Sequence, residues 1–442
     1  MSGLAHGTAA HGTAAHSAAA QGARAHGALA PGASGLATRA GELDDEDPLA
    51  RYVAQFVESE RLVAYLDGNS LGRPLRSTAE EVRCFIDEEW GGRLIRGWDE
   101  RWLAEPFVLG DRLGAACLGA APGQTVIADS TTVNLYKLIR AAVELGGGPE
   151  RGRTEIVADT DNFPTDRYLV EGIAAERDLT LRWIQADPSS GVTPAQVSEA
   201  ITERTAVVVL SHVAYRSGYL ADGPAITELA HRAGALMVWD LCHSVGSVPV
   251  ALDEWGADFA AGCTYKYLNG GPGSPAFAYV AKRHLGDFRQ PVQGWLGRRE
   301  AFEMASGYEP ADGIRRFVSG TPPIFGMLPL RGMLSLVEEV GIAAIREKSV
   351  KLTEFAIAAH RELLEPLGVR LASPPDAERR GGHVTLEHPE FRALTQRLWG
   401  SGVIPDFRAP QGLRLGLSPL STSFREVLRG VEAVRAELSR AV

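Results

Sequence analysis

The sequence places two residue types suited to cofactor chemistry, an aspartate and a lysine, within the segment 236–273. Asp240 and Lys266 each come at the end of a predicted apolar strand, and Lys266 is followed by the glycine-rich turn LNGGPG. In open α/β sheets ligands bind beyond the carboxyl ends of the strands, so both side chains are expected to face one crevice. A lysine there can form a Schiff base through its neutral amine. An aspartate facing it can pair with the pyridinium nitrogen of pyridoxal phosphate and make that ring an electron sink.

Each of these residues also has an ordinary structural interpretation. Asp240 could cap the N-terminus of a helix, and Lys266 could be a surface residue. The pair favours the chemical interpretation, because Asp240 begins an Asp-x-x-His arrangement with His243 and Lys266 directly follows Tyr265. We therefore predict that the two residues belong to one site.

A second polar cluster, DSTTVN at residues 129–134, lies between a predicted strand and a predicted helix. Its hydroxyl groups, among them those of Thr131 and Thr132, and the free amides of a helix N-terminus would form a suitable phosphate site. An ordinary Ser/Thr helix cap gives the same pattern, and both interpretations stay open.

A third cluster, DNFPTD at residues 161–166, also follows a predicted strand. Phe163 could stack on a planar ring, and Asp166 could accept a hydrogen bond from the same group. Core packing is the alternative for Phe163, and the sequence alone favours it.

The composition restricts the class of protein. The 442 residues are 45% hydrophobic and 23% charged, which is typical of globular proteins and predicts two or three domains. The formal net charge of −10 offers no basic surface for nucleic acid. The four cysteines lie far apart without CxxC spacing, which favours a reducing compartment over a disulfide scaffold. No apolar run approaches the roughly 20 residues of a membrane helix. We expect a cytoplasmic protein that binds neither nucleic acid nor membrane.

Short apolar runs that alternate with amphipathic stretches must position these residues. This alternation is typical of βαβ units and of a mainly parallel sheet covered on both faces. The predicted strands are 125–128, 155–158, 180–184, 205–210, 235–239 and 259–262, with later ones near 369–372, 383–386 and 414–417. The predicted helices are 85–90, 106–118, 133–145, 168–177, 194–201, 224–233, 327–364 and 423–439.

Changes in composition along the chain predict four regions. Residues 1–42 are rich in Ala, Gly and His, contain HGTAA twice in tandem, and are expected to be a disordered leader that the chemistry does not need. Metal binding by the histidines of this leader is an alternative that we do not favour. Residues 43–85 are expected to pack on the small domain, 86–325 to form a large cofactor-binding domain, and 326–442 to form the small C-terminal α+β domain.

Eight segments, in order along the chain, resemble those of the kynureninase family. They are DGNSLG at 67–72, LIRGW at 94–98, DSTTVNLYK at 129–137, NFPTDRY at 162–168, SHVAYRSG at 211–218, WDLCHSVG at 239–246, TYKYLNGGPG at 264–273 and GWLG at 294–297. The resemblance runs from about residue 60 to 425. It implies a fold-type-I pyridoxal-phosphate enzyme of tryptophan catabolism, with a mainly parallel seven-stranded sheet in the large domain and a smaller α+β domain.

The resemblance also implies a role for each matching residue. Lys266 would form the Schiff base, Asp240 would pair with the ring nitrogen, and Phe163 would stack on the ring. Tyr265 would contact the phosphate and is a candidate proton carrier. The remaining cofactor-binding residues would be Thr131, Thr132, Pro164, Thr165, Asp166, Ser211 and His243, with Trp295 and Thr321 supplied from the partner subunit of a homodimer.

Three further residues would bind the substrate. Arg414 matches the arginine that grips the substrate α-carboxylate, a sound use of its forked donors, and Asn69 would assist it. Trp98 would lie near the aromatic ring, as would Thr321. These two residues match the bacterial type, which prefers kynurenine over its 3-hydroxy form.

The implied activity is hydrolysis of L-kynurenine to anthranilate and L-alanine, with weaker activity on 3-hydroxykynurenine. Another fold-type-I enzyme, such as a cysteine desulfurase or an amino-acid epimerase, is the alternative. Such enzymes share the lysine strand but have no need of LIRGW or GWLG, and a desulfurase would carry a loop cysteine beyond Cys263, where this sequence has none. A pyridoxal-phosphate-binding protein without catalysis is the least favoured alternative.

Overall fold

The computed structural model describes residues 33–441 of the chain. The strands of this part are β1 Ala64–Tyr65, β2 Thr125–Ala128, β3 Glu155–Asp159, β4 Thr180–Ile184, β5 Thr205–Ser211, β6 Leu236–Asp240, β7 Phe259–Gly262, β8 Ala276–Val280, β9 Arg370–Leu371, β10 His383–Glu387, β11 Val403–Ile404, β12 Asp406–Arg408 and β13 Gly412–Gly416. The α-helices are α1 Ala33–Asp45, α2 Ala50–Val53, α3 Ser77–Cys84, α4 Gly91–Arg93, α5 Glu105–Leu113, α6 Thr131–Leu145, α7 Pro164–Arg177, α8 Pro194–Ala200, α9 Gly223–Arg232, α10 Leu252–Trp255, α11 Ile324–Val340, α12 Ile342–Leu363, α13 Phe391–Gly400 and α14 Phe424–Ala441.

A seven-stranded sheet in the order β2-β8-β7-β6-β5-β3-β4 forms the centre of the large domain. Six of its strands run in one direction, and β8 alone is antiparallel to its neighbours β2 and β7. The mainly parallel seven-stranded sheet predicted from the sequence is confirmed. The sequence analysis missed β8, because its residues AFAYV are buried throughout and so show no alternation, and alanine does not favour strands.

Residues along β5 show why the strands are continuous apolar runs. Val208 and Leu210 belong to the hydrophobic core on one face of the sheet, and Val207 and Val209 belong to the core on the other face. Alternate side chains of a strand point to opposite faces, so a sheet covered by helices on both sides needs apolar residues at every position. Along β5 this arrangement leaves polar residues only at the strand ends, Thr205 and Ser211.

The smaller domain surrounds a second hydrophobic core. Its antiparallel sheet has the order β12-β13-β10-β9, and α12, α13 and α14 contribute to the same core. The helix predicted over 327–364 is two helices, because Gly341 adopts a φ of 81° and separates α11 from α12. Glycine takes that conformation without steric cost.

The predicted boundary of the leader at residue 42 is wrong. Residues 33–45 form α1, and Leu36 and Ala40 are buried in the core of the smaller domain. The two residues are four positions apart, which places them on one face of a helix, but the surrounding alanines and glycines obscure this short pattern. The rest of the predicted leader, and the histidines in it, lie outside the described residues.

The segment 43–85, expected to pack on the small domain, contacts the cores of both domains. Tyr52 and Phe56 lie in the core beneath the large sheet, whereas Ala64 and Leu66 lie in the small-domain core. Strand β1 pairs in parallel with β11. Among the described residues, no helix has the length and apolar character required to cross a membrane.

Candidate active site

Lys266 lies in a tight loop beyond β7 and not at the strand end that the sequence predicted. The amide of Gly270 donates to the Thr264 carbonyl at 2.9 Å, which closes the loop around the lysine. A Cβ atom at Gly72 would lie 2.4 Å from the Lys266 carbonyl oxygen, so only glycine fits where the DGNSLG segment crosses the loop. The Lys266 side chain is buried, with Nζ 3.2 Å from Nε2 of His243 and 6.0 Å from the centre of the Phe163 ring.

Asp240 is the last residue of β6, and its two carboxylate oxygens are held separately. Oδ1 accepts a hydrogen bond from the amide of Cys242 at 2.8 Å, and Oδ2 lies 3.0 Å from the hydroxyl of Ser211, whose proton it shares with Asn162 Oδ1 at 2.8 Å. Ser211 ends β5, and the two residues are paired in the parallel register. The structure thus brings Asp240 and Ser211 together at the carboxyl edge of the sheet, where ligands bind in this class of fold.

His243 and Asp166 are buried beside this carboxylate, and burial disfavours the charged form of both side chains. Burial, helped by the charge of Lys266, lowers the pKa of His243 well below its usual value. Burial and the nearby charge of Asp240 raise the pKa of Asp166 well above its usual value, with Lys266 opposing the rise. Asp166 Oδ2 has no hydrogen-bond partner among the described residues, so it is free to interact with a ligand.

The predicted phosphate site is the N-terminus of α6, which begins at Thr131. Ser130 caps this helix, with its hydroxyl accepting from the amide of Val133 at 3.4 Å. The first amides of a helix have no acceptor within it, and they carry the positive end of the helix dipole. Thr131 and Thr132 therefore present both amides and hydroxyls to one point. Thr131 Oγ1 lies 3.8 Å from the sulfur of Cys242, next to the Asp240 side of the site.

Lys137 supports this phosphate site, a role that the sequence analysis did not assign. It is fully buried, and its Nζ lies 2.6 Å from Asp129 Oδ2 and 3.1 Å from the carbonyl oxygen of Phe317. Asp129 adopts a φ of 46°, an uncommon conformation for a residue other than glycine, just before the helix. Lys137 is part of the segment DSTTVNLYK. Its contact with Phe317 joins residues that are far apart in the sequence, so the sequence gives no sign of it.

Phe163 is half-buried and precedes the first turn of α7, which contains Pro164, Thr165 and Asp166. Its ring meets the edge of Tyr215 at a centroid distance of 5.4 Å and an interplanar angle of 88°. Core packing, the alternative favoured by the sequence, is therefore not its environment. The ring is oriented by Tyr215 and remains available to a planar ligand.

Arg414 belongs to the smaller domain and Asn69 to the N-terminal segment, and the charge of Arg414 helps to lower the pKa of His243. Arg414 is central in β13, and burial lowers the pKa of its guanidinium. Asn69 is completely buried against Gly416, where a Cβ would lie 1.9 Å from its Oδ1. Neither Nδ2 nor Oδ1 of Asn69 has a hydrogen-bond partner within residues 33–441, which is what a residue awaiting a polar ligand would show.

The structure does not bring three of the predicted residues to Lys266 within one chain. Trp98, Trp295 and Thr321 line a separate surface cavity together with Ile95 and Phe302. Tyr265 does lie beside Lys266, and burial raises the pKa of its phenol.

Comparison with known proteins agrees with this geometry. A family model described as "Kynureninase C-terminal domain" matches residues 345–434, and one described as "DegT/DnrJ/EryC1/StrS aminotransferase family" matches residues 180–250. A kynureninase of Burkholderia pseudomallei (strain 1106a) is 43% identical over 396 residues, which cover 89% of this chain and 93% of that relative. A kynureninase of Pseudomonas fluorescens is 42% identical over 402 residues, covering 90% and 94%.

Solved structures with low identity share the fold. A cysteine desulfurase of Thermococcus onnurineus NA1 has a TM-score of 0.72 at 18% identity, covering 91% of this chain and 98% of that chain. A C-DES mutant with glycine linked to its pyridoxal phosphate cofactor has a TM-score of 0.70 at 18% identity, covering 88% and 98%.

The fold and the lysine-centred site define this protein as a member of the pyridoxal-phosphate-dependent class that contains the cysteine desulfurases and aminotransferases. The desulfurase likeness is one of fold alone. The identity to the curated relatives is far more specific, and the chain belongs to the kynureninase family. The resemblance and fold class predicted from the sequence are confirmed.

Proposed function

We propose that this protein hydrolyses L-kynurenine to anthranilate and L-alanine with pyridoxal 5'-phosphate as its cofactor. The observation that carries the proposal is the buried Lys266, facing Phe163 and His243 beside Asp240, in a chain 43% identical to a kynureninase. The alternative activities of the superfamily share the lysine but not this level of identity.

The described residues fit pyridoxal phosphate at each of its functional groups. The N-terminus of α6 would hold the phosphate, and the Asp240 carboxylate would pair with the ring nitrogen. The Phe163 ring would cover one face of the cofactor ring. Asp166 Oδ2 and Asn162 Nδ2 are buried near Asp240 and have no hydrogen-bond partner in the described chain. A polar group of the bound cofactor, or a water molecule bound to it, would supply these missing hydrogen bonds.

When bound, the cofactor supplies an electron sink for cleavage of the substrate Cβ–Cγ bond. Lys266 would attach the cofactor and move the proton of the substrate α-carbon, because its Nζ is at the centre of the site. Asp240 would pair with the ring nitrogen, and Ser211 and the Cys242 amide would orient its carboxylate by contacting one oxygen each. Tyr265 would carry a proton in the later part of the reaction, in which water adds across the Cβ–Cγ bond.

The substrate α-carboxylate would bind between Arg414 and Asn69. Both are buried, and Asn69 offers an amide without a partner in the described chain. A carboxylate would satisfy this amide and offset the positive charge of the arginine.

A homodimer with shared sites is part of the proposal. The cavity around Trp98 adjoins several exposed apolar residues, which a monomer would leave in water. The exposed apolar residues of this face are Leu94, Ile95, Trp295, Phe302 and Met304. A second copy would bury them and place Trp295 and Thr321 at the partner's phosphate. Preference for kynurenine over 3-hydroxykynurenine, a cytoplasmic location and the predicted domain limits from residue 43 onward remain predictions.

An anthranilate fluorescence assay with purified protein tests the proposed activity. Wild type supplied with pyridoxal phosphate and L-kynurenine should release anthranilate, and Lys266→Ala should not. Release of sulfide or persulfide from L-cysteine, with no anthranilate from kynurenine, would instead support the desulfurase alternative.

A further inference from the structure

Arg414 already faces a carboxylate of its own chain. Asp406 and Arg414 are register partners on β12 and β13, so their side chains share one face of the small-domain sheet. Oδ2 of Asp406 accepts from Nε of Arg414 at 2.7 Å and lies 2.6 Å from NH2. Arg414 is only 1% exposed, so this pair has little water around it.

The remaining contacts of the guanidinium restrict what it can offer to a ligand. NH1 donates to the carbonyl oxygen of Tyr215 at 2.6 Å, and NH2 donates to the hydroxyl of Ser70 at 3.1 Å. A guanidinium has five N–H donors. Three of them donate to Asp406, Tyr215 and Ser70, and the ion-pair contact of NH2 with Asp406 blocks a fourth, which leaves one N–H, on NH1, for a ligand.

Asp406 is itself fixed and is the main counter-charge of Arg414. Nε of Arg408 lies 2.8 Å from the same oxygen, Oδ2, as the Arg414 contacts. The other nearby carboxyl belongs to Asp67, whose pKa is raised to about 6 by burial and by the charge of Asp406. Asp67 therefore takes up its proton as the pH falls toward 6, whereas Asp406 is in direct contact with two guanidinium groups.

We propose that Asp406 is a positioning residue that orients Arg414 and neutralises it until an α-carboxylate binds. Asp406 contacts Nε and NH2 of the Arg414 guanidinium, and one N–H of NH1 stays available to the ligand. The amide of Asn69, which has no partner in the described residues, supplies the second donor. The proposal rests on the proposed function, in which Arg414 captures the substrate carboxylate.

The proposal predicts that two substitutions of Asp406 act in opposite directions. Asp406→Asn keeps an oxygen that can accept from Arg414 but removes the negative charge. The arginine then stays in place with its charge less compensated, and an incoming carboxylate binds more tightly. Asp406→Ala removes the acceptor as well, so Arg414 loses its fixed orientation and the carboxylate binds more weakly.

The test measures binding of L-alanine, the proposed product, to the cofactor-loaded protein by calorimetric titration or by the cofactor absorption spectrum. We expect the Kd to fall three- to tenfold in Asp406→Asn and to rise at least tenfold in Asp406→Ala. We also expect saturating L-alanine to raise the Tm of Asp406→Asn more than that of wild type, because the ligand replaces the missing charge.

Glu387→Gln is the matched control. Glu387 pairs with Arg370 in register between β10 and β9, and this arginine, unlike Arg414, is largely exposed. This carboxylate-to-amide change should leave the Kd for L-alanine unchanged.

Three results would overturn the proposal. Weaker L-alanine binding in both Asp406 variants would show that the pair of Asp406 and Arg414 only stabilises the structure. Unchanged binding in both variants would show that Arg414 acts without Asp406. Failure of wild type to bind L-alanine would show that Arg414 does not bind an α-carboxylate. A protein that binds L-alanine in the expected order yet releases no anthranilate would contradict the proposed activity and leave this inference standing.

Discussion

The side-chain nitrogen of Lys266 lies 3.2 Å from Nε2 of His243, and burial keeps that imidazole neutral by lowering its pKa. Within residues 33–441 no carboxylate forms an ion pair with Lys266. The other buried lysine of the site, Lys137, is 2.6 Å from Asp129 and is held by that contact. Two buried lysines thus lie in one site, and only Lys266 is placed to react with a carbonyl group.

Borohydride reduction of the pyridoxal-phosphate-loaded protein should therefore fix the cofactor on Lys266. The purified protein should absorb in the visible range, and Lys266→Ala should keep the fold but lose that band. Peptide mapping by mass spectrometry after reduction checks the position. A label on Lys137 or another lysine would show that the assignment of Lys266 is wrong.

Ser211→Ala should weaken cofactor binding without removing the covalent attachment. Ser211 holds Oδ2 of Asp240, and losing a hydrogen bond to a charged group costs about 1.5–3 kcal/mol, roughly a 10- to 150-fold rise in Kd. Equilibrium dialysis with pyridoxal phosphate measures this constant. Ser401→Ala, a serine at the end of α13 far along the chain from the site, is the control. An unchanged Kd in Ser211→Ala would mean that Asp240 does not depend on Ser211.

Trp98 and Thr321 should set the choice of substrate. Trp98 presents an aromatic surface with no acceptor for a ring hydroxyl, and an apolar pocket rejects an added hydroxyl only weakly. We expect a higher kcat/KM for kynurenine than for 3-hydroxykynurenine. Trp98→His combined with Thr321→Asn should lower the ratio of kcat/KM for kynurenine to kcat/KM for 3-hydroxykynurenine by roughly five- to tenfold, or reverse it. This is the scale of one hydrogen bond of about 1 kcal/mol. Trp98→His alone should leave the cofactor content constant. A wild type that prefers the 3-hydroxy substrate would contradict the placement of both residues.

Assembly should depend on the apolar face around Trp98. Ile95 is 77% exposed on this face, and a charge there should prevent a second copy from burying it. Light scattering should show a dimer for wild type and a monomer for Ile95→Glu, with loss of activity. Tyr168→Glu, at a residue 65% exposed on α7, should remain dimeric. Full activity in a monomer would contradict shared sites.

Acid should destabilise the fold through His212. This buried histidine lies 2.9 Å from Ser244 through Nδ1, and burial lowers its pKa from 6.5 to about 3. Between these values the unfolded chain binds a proton that the folded chain does not, so the unfolding free energy falls as the pH decreases from 6.5 toward 3. The contribution is about 1.4 kcal/mol per pH unit.

Urea unfolding at several pH values checks this effect in the cofactor-saturated protein. The glutamine of His212→Gln can still contact Ser244 but does not titrate. Unfolding of this variant should therefore take up about one proton fewer than unfolding of wild type, and its unfolding free energy should depend less steeply on pH. His388→Gln, at a half-buried histidine, is the control. Equal slopes for wild type and His212→Gln would show that His212 is not a source of the acid sensitivity.

The sequence by itself determined six of the seven strands of the large sheet and the polar residues at the ends of β5 and β6. A sheet covered on both faces requires uninterrupted apolar strands, so the first polar residues, Ser211 and Asp240, stand out at the carboxyl edge. The eight motifs, in their order along the chain, were enough to indicate the family. The short apolar face of α1 and the buried alanine-rich β8 were missed, because neither produces a distinct local pattern.

Only the tertiary structure decided which distant residues meet. The pairing of Asp406 with Arg414 depends on the register of two antiparallel strands, and the contact of Lys137 with Phe317 depends on how a loop closes over α6. The separation of Trp98 from Lys266 within one chain likewise follows from packing. These relationships join residues far apart in the chain, and local residue preferences carry no information about such distances.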